Sequence, residues 1–278
     1  MTAAAHARPR PAATVYPAVA AGAFRRYATY RVATAAGVLT NTVFGFVLAY
    51  VYLALWDQRP QLGGYGPEQA VTFVWVGQAM IGAVALLGGG FQEELQERIR
   101  SGDIAIDLHR PVDLQLWWLA HDCGRAAFQL LGRGVGPMAG GALAFDLHLP
   151  TDPLVWLLFL LSVWGAVVVS FAIRYLLGLA SFWLLDSSGL LMLGTFLGVF
   201  ASGMLLPLTV FPGLLGDVVR ALPWAAMLQV PADILLERRT GTGVLTGLLF
   251  QACWAVALLA AGRALQLLAT RRVVVQGG

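Results

Sequence analysis

Residues 70–111 read AVTFVWVGQAMIGAVALLGGGFQEELQERIRSGDIAIDLHRP. Positions 70–90 hold no charged side chain and match the roughly 20 apolar residues that a helix needs to cross a hydrocarbon core. The character changes immediately afterwards: Glu93, Glu94, Glu97, Asp103 and Asp107 alternate with Arg98, Arg100 and Arg110. An apolar run of bilayer length that empties into a charged, helix-forming cassette makes this a chain that crosses a membrane and surfaces in water.

Composition agrees. Among 278 residues, 58% are hydrophobic and only 12% charged, with a mean hydropathy of +0.72, too apolar for an ordinary soluble domain. The net charge of +3 is carried by arginine alone, since the chain has no lysine. That excludes the Gly-rich phosphate loop of nucleotide hydrolases, whose lysine reaches the terminal phosphates. Cys123 and Cys253 lie in apolar contexts without CxxC spacing and read as buried, inert thiols, with no metal site.

Five further apolar runs accompany the first, placing spans at about 34–56, 70–90, 120–145, 154–185, 188–211 and 243–268. The fold class is therefore an all-α membrane protein with six transmembrane helices, expected as a single domain over 24–272. The Ala- and Pro-rich residues 1–23 are expected to be a flexible tail and not a signal peptide, and 273–278 a second tail.

Arginine counting sets the orientation. Arg25, Arg26 and Arg31 precede the first span, Arg98, Arg100 and Arg110 follow the second, and Arg271 and Arg272 follow the sixth, which puts both termini in the cytoplasm. Glu237, Arg238 and Arg239 oppose the rule. The segment FRRYATY, residues 24–30, suits an interfacial helix that meets anionic lipid through arginine, or simple positive-inside anchoring.

Within the cassette, Phe91, Leu95 and Ile99 recur at four-residue spacing, so one narrow stripe of the helix is apolar. Glu94 with Arg98 and Glu97 with Arg100 form favourable pairs, Ser101-Gly102 supplies a stop, Asp103 can cap a restart and Pro111 ends the unit. Three anchors cannot build a core, so the helix must lie on something. The inner leaflet repels its acids, which favours a protein partner; a solvated helical loop is the alternative.

Between the fifth and sixth spans, residues 206–237 read LPLTVFPGLLGDVVRALPWAAMLQVPADILLE. Pro223 and Pro231 break any continuous helix here, leaving pieces at about 213–221 and 224–236. Non-helical backbone at membrane depth survives only under cover of protein or a water-filled cavity, so these pieces either dip back as re-entrant helices or form an ordinary extracellular loop. Gly194, Gly198 and Ser202 give the fifth span a face of small residues that allows close helix approach, between subunits or within one; Gly136 and Gly140 are similar. His121, Asp122, Arg125, Gln129 and Arg133, with Arg174, read as pairs along their helices and as snorkelling interfacial anchors. A substrate entry site is the sharper alternative. Tyr175, Phe182 and Trp183 read as interfacial belt residues. No catalytic motif or pair of intramembrane acids is present.

The acidic helix followed by SGDIAIDLHRPVD, together with Pro207, Pro212, Pro223 and Pro231 around the LPW step, resembles the permease subunit of type 2 ABC exporters, in the prokaryotic subgroup with a separate ATP-binding subunit and often a second permease. The resemblance implies that about Gln92–Arg100 is the coupling helix, with Glu93, Glu94, Leu95, Glu97, Arg98, Gly102 and Asp103 meeting the ATPase. It implies an external gate containing Pro207, Pro212, Pro223, Trp224 and Pro231, and a dimer contact at Gly194, Gly198 and Ser202. ATP and Mg would be bound by the partner, with no cofactor or catalytic site in this chain, and the setting would be the lipid bilayer of a bacterial inner membrane. Nucleic acid is not an expected partner. Hydrophobic or amphipathic cargo is expected; a non-ABC polytopic protein, channel-like, lipid-handling or enzymatic, remains the alternative.

Overall fold

The computed structural model describes residues 12–184 and 187–271, and among these the regular structure is entirely helical. The expected tail at 273–278 lies outside the described residues. Helix α1 spans Ala12–Ala28 and α2 Arg31–Gln58; α3 covers Pro67–Met80, α4 Phe91–Ser101 and α5 Ile104–Leu108. Helix α6, Leu114–Phe128, runs through a π-helical segment, Gln129–Gly134, into α7, Val135–Ala144. The remainder comprises α8 (Pro153–Leu179), α9 (Ser188–Ala201), α10 (Gly213–Ala221), α11 (Gln229–Leu235) and α12 (Thr242–Thr270).

Three helices are long and apolar enough to cross a membrane: α2, α8 with its extension to Phe182, and α12; α10 and α11 make a fourth if their pair, bent by 64°, counts as one. The second and fifth apolar runs are shorter helices than their composition suggests. Helix α3 stops at Met80 and the chain continues in turns to Leu87; α9 stops at Ala201. The rod Leu114–Ala144 is continuous but holds Asp122, Arg125 and Arg133, which its packing explains below.

Helix α3 is the centre of the bundle, with ten of its fourteen residues buried. Against it pack α2, the third rod through its π-helical segment and α7, and α11, in one large core that includes Phe73, Met80 and Leu228 and extends to Val167 of α8. Gly45 and Gly141 both face the Trp75 ring, where an added Cβ would come within 2.4 Å. Gly136 lies against Val38 in the same way, so the small-residue face of the third rod packs within this chain.

The helix expected near Phe24 is α1, which already covers Ala12–Ala28, so residues 12–23 are helical and not a loose tail; residues 1–11 of that expected tail lie outside the described residues. One reason is its seat on α6. Gly124 lets the backbones touch, since a Cβ there would fall 2.0 Å from the Ala20 carbonyl oxygen, while Phe24 meets Phe128 edge-on and Tyr27 meets His121.

Candidate functional site

The charged cassette is built into its own bundle. Phe91 and Leu95 are fully buried, and Ile99 packs beside them, in a second core with Ile104, Leu114, Trp118, Phe171 and Tyr175. Phe91 packs against Phe171 with ring centroids 4.8 Å apart and the rings tilted by 36°. Gly178 accommodates Leu95, whose Cδ2 lies 3.0 Å from the position a Cβ would take. The apolar stripe that required a partner finds it on α6 and α8 of the same chain, and the polar side of α4 is what remains outside.

On the approach to α4, three carbonyls in the turns that follow α3 are met by side chains. Arg125 donates to Gly82 O at 2.6 Å and Ala83 O at 2.7 Å, and the Ser170 hydroxyl donates to Val84 O at 2.5 Å. Gly88, Gly89 and Gly90 then all take positive φ, 85°, 84° and 98°, a run that side chains resist. Arg125 is held by Asp122, Nε to Oδ1 at 2.6 Å, and Asp122 also accepts from Arg174 Nη2 at 2.5 Å. All three side chains are buried. The Arg174 guanidinium lies 5.1 Å over the Phe91 ring, so α3, α4, α6 and α8 meet at one ion cluster.

Asp122, Arg125 and Arg174 are therefore not interfacial snorkellers. Burying the cluster is tolerable because both arginines share the Asp122 carboxylate, while Arg125 also donates to two backbone carbonyls and Arg174 Nε donates to the Ser170 hydroxyl at 3.1 Å. His121 does not pair with Arg125; it stacks on Trp117 at 6.0 Å. Gln129 and Arg133 do not pair either: Gln129 Oε1 and Arg133 Nε are buried without partners. The π-helical turn rotates positions four apart out of the alignment an α-helix gives them. Tyr175 is a core residue whose hydroxyl donates to Gln266 Oε1 at 2.8 Å, and Cys253 is exposed on α12, not buried.

The polar links of α4 differ from those its spacing suggests. Arg98 pairs with Asp107 of α5, and that hydrogen bond raises the guanidinium's pKa. Glu94 pairs with Arg26 of α1 at 3.3 Å. Gln96 donates to the Ser187 hydroxyl at 3.0 Å. Asp103 stands at the start of α5 without a side-chain cap bond, and Gly102 ends α4 with φ 84°. Glu93, Glu97 and Asp103 are exposed, with Ile106 60% exposed on α5.

At the opposite end, Pro207 and Pro212 bracket a short 3-10 turn, Leu208–Val210, and Pro223 opens another, Pro223–Ala226. Pro231 sits in the first turn of α11, where proline is tolerated; the chain breaks at Leu228 instead. This hairpin reaches deep into the bundle: Leu228 and Met204 lie near Gly77, and Trp224 and Leu86 near Gly198. A narrow crevice runs from Gln92 and Arg174 past Gly194 and Gly198 to Trp224 and Met227. Gly194 faces Leu177 of α8 and Ser202 is buried, so this small-residue face is turned into its own chain.

A buried polar knot pins the hairpin. Tyr65 donates to Asp233, Gln229 Nε2 donates to Tyr65 Oη at 2.7 Å and to Asp233 Oδ1 at 2.9 Å, and Leu208 N donates to Gln229 Oε1 at 2.7 Å. Burial, then the Asp233 charge, pushes the Tyr65 phenol well above its ordinary pKa. Arg238 covers the Tyr65 ring at 4.5 Å and Arg239 approaches Asp233 at 3.6 Å. The arginines that offended the orientation rule are consumed by this knot.

A search among curated proteins gives no match. A family model described as ABC-2 family transporter protein matches residues 38–277.

Proposed function

The chain belongs to the ABC-2 transporter family, membrane components whose ATPase is a separate subunit, and on that premise we propose that α4 and α5 are the surface that ATPase engages. The observation that carries this reading is the division of α4 into two faces. Phe91 and Leu95 are locked into the bundle, whereas Glu93 and Glu97 are exposed and polar. A merely solvated loop has no need of a rigid seat; a lever does.

The proposed spans are α2, α3 with its irregular extension, the rod Leu114–Ala144, α8, α9 completed by the re-entrant α10–α11 hairpin, and α12. Helices α1, α4 and α5 would lie on the cytoplasmic side of the bacterial inner membrane with both termini. Closure of two ATP-loaded ATPases would press α4 of this chain and of a second permease, identical or homologous, together. The displacement would pass from α4 through the Phe91–Arg174 contact and the short segment around Leu86 to Trp224, which we assign with Pro207, Pro212, Pro223 and Pro231 to the external gate. Gly194, Gly198 and Ser202 would act as the close-packed bearing of α9 on α8, next to a dimer contact. ATP and Mg would bind the partner subunit alone.

We assign export of hydrophobic or amphipathic compounds on the absence of charge from Val32 to Trp56 and throughout α9. Co-purification tests the coupling surface: the ATPase is expected to travel with the wild-type chain and to be lost from Glu93→Lys/Glu97→Lys. Undiminished recovery of the ATPase with that variant would refute the assignment.

A further inference from the structure

The elbow between α1 and α2 opens onto a groove of about 560 Å³ that the coupling route does not use. Val38 and Leu39 of α2 form one wall, Phe128 and Gly132 of the third rod the other, and Arg31 stands at the mouth. Gly132 contributes no side chain, and it lies in the π-helical turn, the kind of local irregularity often found at functional sites. Leu39 is 66% exposed along this wall. From Arg31 to Thr42, the last lining residue of α2, the groove extends eleven residues, about 16 Å at the helical rise, comparable to a lipid acyl chain.

The mouth is positive on two counts. Arg31 is exposed and has no acidic partner among the described residues. It begins a 28-residue helix whose N-cap, Tyr30, makes no side-chain cap bond; the Arg31 N–H itself donates to Thr29 O, and the N–H groups next along the first turn stand at the positive end of the helix dipole beside the guanidinium. No acid lines the groove.

We propose that this groove binds one anionic glycerophospholipid. Arg31 and the first turn of α2 hold the phosphate, and an acyl chain lies between α2 and the third rod. A zwitterionic headgroup offers the same phosphate but adds an ammonium that the positive mouth repels, so a net negative headgroup is selected. The proposal rests on the membrane-spanning reading and requires nothing of the ATPase.

The test is native mass spectrometry of the purified full chain without ATPase, mixed with equal amounts of phosphatidylglycerol and phosphatidylcholine, so failure of the coupling assignment leaves it untouched. One phosphatidylglycerol is expected to be retained in preference. Arg31→Gln, a change at an exposed position, weakens that binding roughly fivefold, in line with one basic residue at a lipid surface, while Arg31→Lys keeps the preference. Glycerol phosphate, lacking chains, fails to displace the lipid. Equal retention of both lipids, unchanged binding by Arg31→Gln, or displacement by glycerol phosphate would each overturn the proposal.

Discussion

Arg174 reaches from α8 to Asp122 on α6, Nη2 to Oδ2 at 2.5 Å, with both side chains buried. Because Asp122 also holds Arg125, removing the carboxylate strands two cations. Asp122→Ala is expected to destabilise the protein by about 3–5 kcal/mol, the usual cost of breaking a buried ion pair from one side. Thermal unfolding of the purified protein measures it. Adding Arg174→Met should recover part of the loss, and an unchanged melting temperature in the single variant contradicts the cluster's role.

A second expectation concerns α1. Gly124→Val places atoms where the Ala20 carbonyl now lies, backbone that cannot swing aside as a side chain can. Hydrogen exchange across α1 should accelerate in this variant while exchange in α8 stays as it was. Unaltered protection of α1 would show that the close approach does not hold it.

The Tyr65–Asp233 knot supplies a third. Tyr65→Phe removes the donor to Asp233 and leaves a buried carboxylate short of one partner, costing about 1–3 kcal/mol. A phenol whose pKa is raised on folding stabilises the folded state below its unfolded value and loses that contribution as pH rises past about 10. The gap in stability between wild type and Tyr65→Phe should therefore narrow above that pH in equilibrium unfolding. A gap that widens there would reverse the assignment.

How much of this was written in the sequence depends on the range of the interaction. Helices α8 and α12 follow from continuous apolarity, and α10 from its proline boundaries, because those signals are local. The end of α3 at Met80 was not legible: residues 81–87 remain apolar, and the cause of the break lies in Arg125 and Ser170, 42 and 86 positions away from the carbonyls they bind. Likewise Asp122 and Arg174 are 52 positions apart, so each looked like a lone interfacial charge. The glycine run 88–90 was the one local sign that the chain must turn sharply before α4.

The same contrast governs the cassette. Its spacing exposed an apolar stripe that needed a surface, but not which surface. The structure seats the stripe on α6 and α8 and leaves Glu93 and Glu97 exposed.

Site-specific photo-cross-linking measures that division directly. With the ABC ATPase subunit co-expressed, a photoreactive residue at position 93 or 97 should capture the ATPase, while one at position 95 should capture only peptides of this chain's own α8. Capture of the ATPase from position 95, or none from positions 93 and 97 in an ATPase-containing complex, would contradict the account.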